Sequence, residues 1–135
     1  MKKLFASLYL IISTSALFAQ YTENGSAAAT NCHCYVLTPD ALTTSGSVWN
    51  NNKIDLNISF DFQFNVFLGC NGIKGADGIV FALQPISTSV GSTGGGMGFQ
   101  GITPSIGITL DTWQNMEFND PAYDHILQRC ASMPG

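Results

Sequence analysis

Residues 54–68 read IDLNISFDFQFNVFL and carry an apolar side chain at every even position. The odd positions are polar, except for Phe67. A period of two is typical of a β-strand that turns one face to a core and the other to water. Because an unbroken strand of this length would run about 50 Å, we expect a kink or bulge near Leu56 and Asn57. The stretch therefore indicates a fold built on β-sheets.

Two further segments favour strands over helices. Residues 78–83, GIVFAL, are apolar on both faces and predict a buried strand that Pro85 ends. Residues 106–110 alternate between apolar and small or polar side chains and predict another strand. Beyond the N-terminal region, no segment shows an apolar stripe with a period of 3.6 residues. We predict an all-β domain in which antiparallel sheets stack as a sandwich.

The two flanks of this region lack strand patterns. Residues 21–30 are small and polar and predict a loose N-terminal segment. Residues 127–135 predict an irregular tail. Because a sandwich of this kind usually needs about 200 residues or more, we expect an incomplete domain, either a truncated or frame-shifted product or a fragment of a longer protein.

Residues 1–20 have the composition of a secretory signal peptide. Lys2 and Lys3 precede an apolar run over residues 4–12 and a small-residue region that ends at Ala19. The run is too short to span a bilayer, so we expect a secreted or cell-surface protein without a transmembrane anchor. Cleavage would leave three basic residues against nine acidic ones, a net charge of −6. Without a basic patch, nucleic acid is not an expected partner.

Export also makes disulfides possible for the cysteines at positions 32, 34, 70 and 130. We expect one disulfide that closes on Cys70. Cys34 is the partner we favour, because Cys32 would point to the other face of an extended segment. The sequence Cys32-His33-Cys34 could instead form half of a zinc site, but no matching second pair exists in the chain.

The loop after the strand at residues 106–110 concentrates polar ligands. It reads DTWQNMEFNDPAYDH over residues 111–125. Asp111, Asn115 and Asp120 offer the oxygen ligands that Ca²⁺ prefers, and a carbonyl near Trp113 could add another. His125 is better suited to a transition metal. The alternative is a polar loop whose carboxylates only accept backbone hydrogen bonds.

Three blocks of sequence occur in a recognisable order. They are ADGIVF at 76–81, GGGMGF at 94–99 and LDTWQN at 110–115, followed by DP at 120–121 and HI at 125–126. In this order the chain resembles the L-type (legume-lectin-like) carbohydrate-binding domain, of the bacterial secreted type. The resemblance implies a concanavalin A-like jelly-roll sandwich over residues 21–126, with Ca²⁺ holding the sugar-binding loops.

The resemblance also implies four carbohydrate-binding residues. Asp77, after a cis Ala76–Asp77 peptide, would accept hydrogen bonds from two sugar hydroxyls. Gly95 would donate its backbone N–H, and no side chain would block the approach of the sugar. The ring of Trp113 would lie under the sugar, and the amide NH₂ of Asn115 would bind a hydroxyl.

The implied metal ligands lie in the same loop. They are Asp111, Asn115 and Asp120 with the carbonyl of Trp113 for Ca²⁺, and His125 with the two aspartates for a neighbouring transition metal. Plant members of the family have a Glu where this chain has Thr109. We therefore expect Ca²⁺ to bind, and a second site for Mn²⁺ or another transition metal to be weaker.

These implications predict a secreted, calcium-dependent glycan-binding module of a surface or adhesion protein, without enzymatic activity. One alternative is a Ca²⁺-stabilised structural module, or a non-functional truncated product, that binds no sugar. Another is a glycoside hydrolase, which needs two carboxylates about 5–10 Å apart. Beyond residue 20 the only glutamates are Glu23 and Glu117, and neither lies on a clear strand. The sequence specifies neither the sugar nor the oligomeric state.

Overall fold

The structure is a computed structural model that describes residues 20–31, 33–70 and 75–131. Within these ranges the regular structure is β, apart from one turn of 3-10 helix at Met116–Phe118. The strands are β1 (Tyr21–Gly25), β2 (Ala28–Asn31), β3 (Cys34–Val36), β4 (Gly46–Asn50), β5 (Gly78–Leu83), β6 (Ser105–Asp111) and β7 (His125–Ala131). All their pairings are antiparallel. The prediction of an all-β fold with antiparallel sheets is confirmed.

A three-stranded sheet in the order β5-β6-β7, which we call the central sheet, positions the candidate site residues. Opposite residues in an antiparallel pair share a face, so the register fixes what lies together. Gly78 faces Asp111, and Asp111 faces His125 on the other side. We call the face that carries these three residues the front face. The opposite face, which carries Phe81 and Ile108, is the back face.

A loop at residues 94–102, the covering loop, packs on the front face. It contributes Phe99 and Ile102, the two buried hydrophobic side chains of the described chain, at 7% and 5% exposure. The Phe99 ring lies so close to Gly107 on β6 that an added Cβ would come within 2.9 Å of ring atoms. A glycine is therefore needed at this position, because it allows the aromatic ring to reach the sheet.

The segment at residues 54–68 departs from the predicted strand. No ladder of backbone hydrogen bonds joins it to another strand in the part of the chain that the structure describes. Phe62 and Phe64 nevertheless pack on Phe81 of the back face, with ring centroids 5.6 and 5.3 Å away. The alternation of apolar and polar residues indicates which side chains favour a core. A strand also needs a neighbouring strand whose backbone can form hydrogen bonds with its own. The predicted kink at Leu56 and Asn57 is confirmed as a turn.

Both flanks are more ordered than the sequence indicated. Part of the predicted loose segment forms β1 and β2, and β1 pairs with β4 from Tyr21↔Asn50 to Gly25↔Gly46. The predicted irregular tail begins as strand, because β7 pairs with β6 as far as Ala131. None of β1, β2 and β7 shows a clean alternation of apolar and polar side chains. Their hydrogen-bonding partners are distant in sequence, so local pattern could not reveal them.

The predicted disulfide between Cys34 and Cys70 is not formed in this structure, where both thiols are free and exposed. A disulfide requires Cα atoms about 4.4–6.8 Å apart, a condition that loop length and cellular compartment do not establish. Cys34 lies in the β2–β3 pair, whereas Cys70 follows the segment that packs on the central sheet. Cys130 is also free, and Cys32 lies outside the described residues.

No helix within residues 20–31, 33–70 and 75–131 is long and apolar enough to cross a bilayer. The predicted signal peptide lies outside the described residues, apart from Gln20.

Candidate functional site

One end of the central sheet gathers the residues that the sequence analysis selected. Asp111 ends β6, His125 begins β7, and Asp77 directly precedes β5. The carbonyl of Asp77 accepts a hydrogen bond of 3.0 Å from the N–H of Thr112. The antiparallel register therefore brings three loops to the same corner of the fold.

Three potential ligands converge at this corner. One ligand atom each from Asp111, Asp120 and His125 lies within 4.8 Å of the other two. The carboxylate of Asp111 is only 1% exposed, and its Oδ2 lies 3.9 Å from Nε2 of His125. That separation is too long for a hydrogen bond. It matches instead two ligands on either side of a shared cation.

The corner also contains buried polar atoms without partners. Asp111 Oδ2, Asn115 Oδ1 and His125 Nε2 are shielded from solvent, and none has a hydrogen bond within the part of the chain that the structure describes. A buried polar atom left unpaired costs about 1–3 kcal/mol. Each of the three can offer a lone pair to a cation. The residues present thus fit a metal ion. They offer suitable donor atoms, and a bound cation would remove the free-energy cost of leaving those atoms unpaired.

Hydrogen bonds to the backbone fix the other carboxylate oxygens. Asp111 Oδ1 accepts from the N–H of Trp113 at 3.1 Å, and Asp120 Oδ2 accepts from the N–H of Asn115 at 3.3 Å. The amide of Gln114 donates to the carbonyl of Asp120 at 3.1 Å. The polar-loop alternative is therefore partly right, because each aspartate does anchor the loop, but it leaves Asp111 Oδ2 unexplained.

The orientation of His125 is set by a neighbouring carbonyl. Its Nδ1 lies 3.1 Å from the carbonyl oxygen of Tyr123. A carbonyl only accepts hydrogen bonds, so this contact assigns the proton to Nδ1 and leaves a lone pair on Nε2. This is the arrangement in which an imidazole binds a metal.

Thr109 does not add to the donor set. It is fully buried, and its hydroxyl donates a hydrogen bond of 3.2 Å to the carbonyl of Leu127 on β7. The hydroxyl hydrogen is thereby used, and a neutral hydroxyl is a weaker ligand than a carboxylate. A second cation beside His125 would lack a strong ligand at this position.

The predicted sugar-binding residues border the same corner. The Ala76–Asp77 peptide is cis, as predicted. Burial raises the pKa of the Asp77 carboxyl, and the charges of Asp111 and Glu117 raise that pKa further. A cation held by Asp111 would act in the opposite direction, because it would favour the ionised form.

Gly95 lies directly against Asn115. A Cβ at position 95 would come 2.8 Å from Nδ2 and 3.0 Å from Cγ of Asn115. Any side chain there would displace the Asn115 amide. Trp113 is 43% exposed, so part of its indole is available to a ligand.

Two contributors escaped the sequence analysis. Gln114 braces Asp120, and the carbonyl of Tyr123 orients His125. Gln114 lies within the block LDTWQN, but nothing in its residue type indicated a contact six positions away. A backbone carbonyl carries no sequence signal at all, so only coordinates could identify the Tyr123 contact.

Comparison with known proteins finds sequence similarity to an adhesin and to a lectin. The "Serine-rich adhesin for platelets" of Staphylococcus aureus (strain MRSA252) is 38% identical over 84 residues, which cover 58% of this chain and 6% of that protein. "Lectin-4" of Griffonia simplicifolia is 37% identical over 76 residues, which cover 50% of this chain and 31% of that protein. The chain thus spans less than a third of either relative.

The family-level match covers more of the chain. The sequence model of the legume lectin beta-barrel domain matches residues 12–130, which include β1 to β6, β7 as far as Cys130, and the whole candidate site. Lectin-family similarity points to a carbohydrate-binding protein rather than an enzyme. The chain belongs to the L-type (legume) lectin domain family.

Proposed function

We propose that this chain is a calcium-dependent glycan-binding module of an exported surface or adhesion protein. Its family and the printed names of its relatives, a lectin and an adhesin, support the general class. The observation that carries the calcium dependence is the set of three buried atoms without partners at Asp111, Asn115 and His125. Export rests on the composition of residues 1–20.

In this proposal the cation is held by the loop after β6. Asp111, Asn115 and Asp120 supply side-chain oxygens, Trp113 supplies its carbonyl, and His125 lies at the edge of the site. A Ca²⁺ ion bound there would supply positive charge that neutralises the clustered carboxylates and fixes the loop. The engaged hydroxyl of Thr109 argues against a second, Mn²⁺-type site.

The sugar would bind beside this loop. The Asp77 carboxylate would accept hydrogen bonds from two hydroxyls, and Gly95 would donate its backbone N–H. Asn115 Nδ2 would reach a third hydroxyl, while the exposed part of the Trp113 ring would cover a C–H face of the sugar. This division requires Asn115 to orient its oxygen toward the cation and its nitrogen toward the ligand.

Calcium should raise the melting temperature of the protein. At a concentration 100 times the dissociation constant the gain is about 2.7 kcal/mol, which corresponds to roughly 10 °C for a domain of this size. The measurement is a thermal melt in CaCl₂, with MgCl₂ at equal ionic strength as the control. Equal melting temperatures in CaCl₂ and EDTA would contradict the metal site.

A glycan array with and without EDTA then tests the sugar. Binding that EDTA abolishes supports the proposal. A calcium-dependent melt without any glycan binding would favour the structural module instead, since the same donors can hold a cation without a ligand.

The contact between Gly95 and Asn115 makes Gly95→Ala informative. The new methyl would push the Asn115 amide away, and overpacking of this kind costs about 1–3 kcal/mol. We expect the affinity for Ca²⁺ to fall about ten-fold and glycan binding to fall with it. Calorimetric titration of the double variant with Asn115→Ala is the control, because Gly95→Ala should then have little further effect. A full additive loss would show that Gly95 acts independently of Asn115.

A further inference from the structure

A small open cavity lies between the covering loop and the front face, outside the residues assigned above. Its volume is about 100 Å³. Its walls include Phe99 and Phe118 on the apolar side, and Gln100, Thr109 and Arg129 on the polar side. Gly96 also lines the cavity, which places it next to Gly95.

Arg129 is the distinctive member of this set. The register Gly107↔Arg129 places it on the front face, one strand away from the glycine that the Phe99 ring covers. Its side chain is partly buried. In the described part of the chain, neither a hydrogen bond nor an ion pair engages the guanidinium. A guanidinium without a counter-ion can bind an anion at this position.

The shape and polarity of the cavity restrict which anion fits. The cavity volume exceeds the roughly 10–15 Å³ that one water molecule needs, so it has room for a few non-hydrogen atoms. A guanidinium binds a carboxylate or similar oxyanion through two parallel N–H bonds. The amide of Gln100 can donate another.

We propose that this cavity binds a small oxyanion, such as a carboxylate, through Arg129. The anion is either free in solution or the acidic group of a glycan. Nearby acids oppose it, because Asp111 lies two residues beyond Thr109 on the same face, about 7 Å along the strand, and Glu117 adjoins Phe118. A cation bound to Asp111 would remove part of this repulsion, so the test is made in CaCl₂.

The probe is sodium acetate, titrated against sodium chloride at constant ionic strength and followed by amide NMR shifts. We expect saturable shifts at Thr109 and at the Gln100 side chain. Arg129→Gln should weaken acetate binding about ten-fold or more. Arg129→Lys should cause a smaller loss, because lysine keeps the positive charge but cannot form the two parallel N–H bonds of a guanidinium. Lys53→Gln, which removes an exposed cation, should leave the affinity unchanged.

Methyl glucuronide and methyl glucoside identify the source of the anion. Binding of the glucuronide more tightly than acetate, and sensitivity to Arg129→Gln, assigns the cavity to an acidic glycan. Equal binding of glucuronide and acetate assigns it to a free carboxylate. The proposal is overturned if wild-type protein shows no saturable shift with acetate, a result that needs no variant to fold. Because acetate is not a sugar, this arm is independent of glycan binding at Asp77.

Discussion

Asp111→Asn is expected to reduce calcium affinity by about 10–100-fold, since an interaction with a charged group is worth about 1.5–3 kcal/mol. The substitution preserves the shape of the side chain, and its Oδ1 can still accept the hydrogen bond from the N–H of Trp113. What it removes is the charge of an almost fully buried carboxylate, whose Oδ2 has no hydrogen-bond partner among the described residues. Glycan binding should fall in parallel, because in the proposed site the cation would hold Asn115 in place.

Asp124→Asn is the matched control for this experiment. Asp124 lies in the same loop and carries the same charge, but its side chain is exposed. Calorimetric titration with CaCl₂ should give nearly wild-type affinity for this variant, because exposed charges contribute little. If both variants lost affinity equally, the effect would come from the total charge of the loop and not from coordination by Asp111.

The sequence predicted the strands that form the site better than those at the flanks. Strands β5 and β6 have strong apolar patterns, and aromatic rings pack on both: Phe62 and Phe64 on Phe81 of β5, and Phe99 on Gly107 of β6. Residues 54–68 have an equally strong pattern and yet form no backbone ladder with any described strand. A side-chain pattern reports only the preference for burial, whereas a strand also depends on a partner that may lie anywhere in the chain.

The candidate site was more accessible to sequence analysis than the fold. Asp111, Asp120 and His125 lie within one short loop, so their proximity follows from the local chain and the structure confirms it. Gly95 and Asn115 belong to the blocks GGGMGF and LDTWQN, which the sequence related only by their order. The structure shows that the two residues are in contact. Three features needed coordinates. They are the engaged hydroxyl of Thr109, the carbonyl that orients His125, and the side chain of Arg129, which has no ion-pair or hydrogen-bond partner among the described residues.

Asp77→Asn should separate sugar binding from metal binding. The Asp77 carboxylate is proposed to accept two sugar hydroxyls, and each hydrogen bond to a charged group is worth about 1.5–3 kcal/mol. We expect glycan affinity to fall about 100-fold or more, while calcium affinity stays within a few-fold of wild type. The backbone carbonyl of Asp77, which accepts from the N–H of Thr112, is unchanged by the substitution, so the loop keeps its anchor.

Glu117→Gln distinguishes a specific role of Asp77 from an effect of local charge. Both carboxylates add negative charge at this corner, and Glu117 raises the pKa of Asp77 through that charge. If glycans required only a negative potential, the two substitutions would weaken binding to a similar extent. If Asp77 accepts the hydroxyls directly, Glu117→Gln should change glycan affinity by no more than a few-fold. Retained glycan binding in Asp77→Asn, measured on the same array in CaCl₂, would place the sugar elsewhere on the domain.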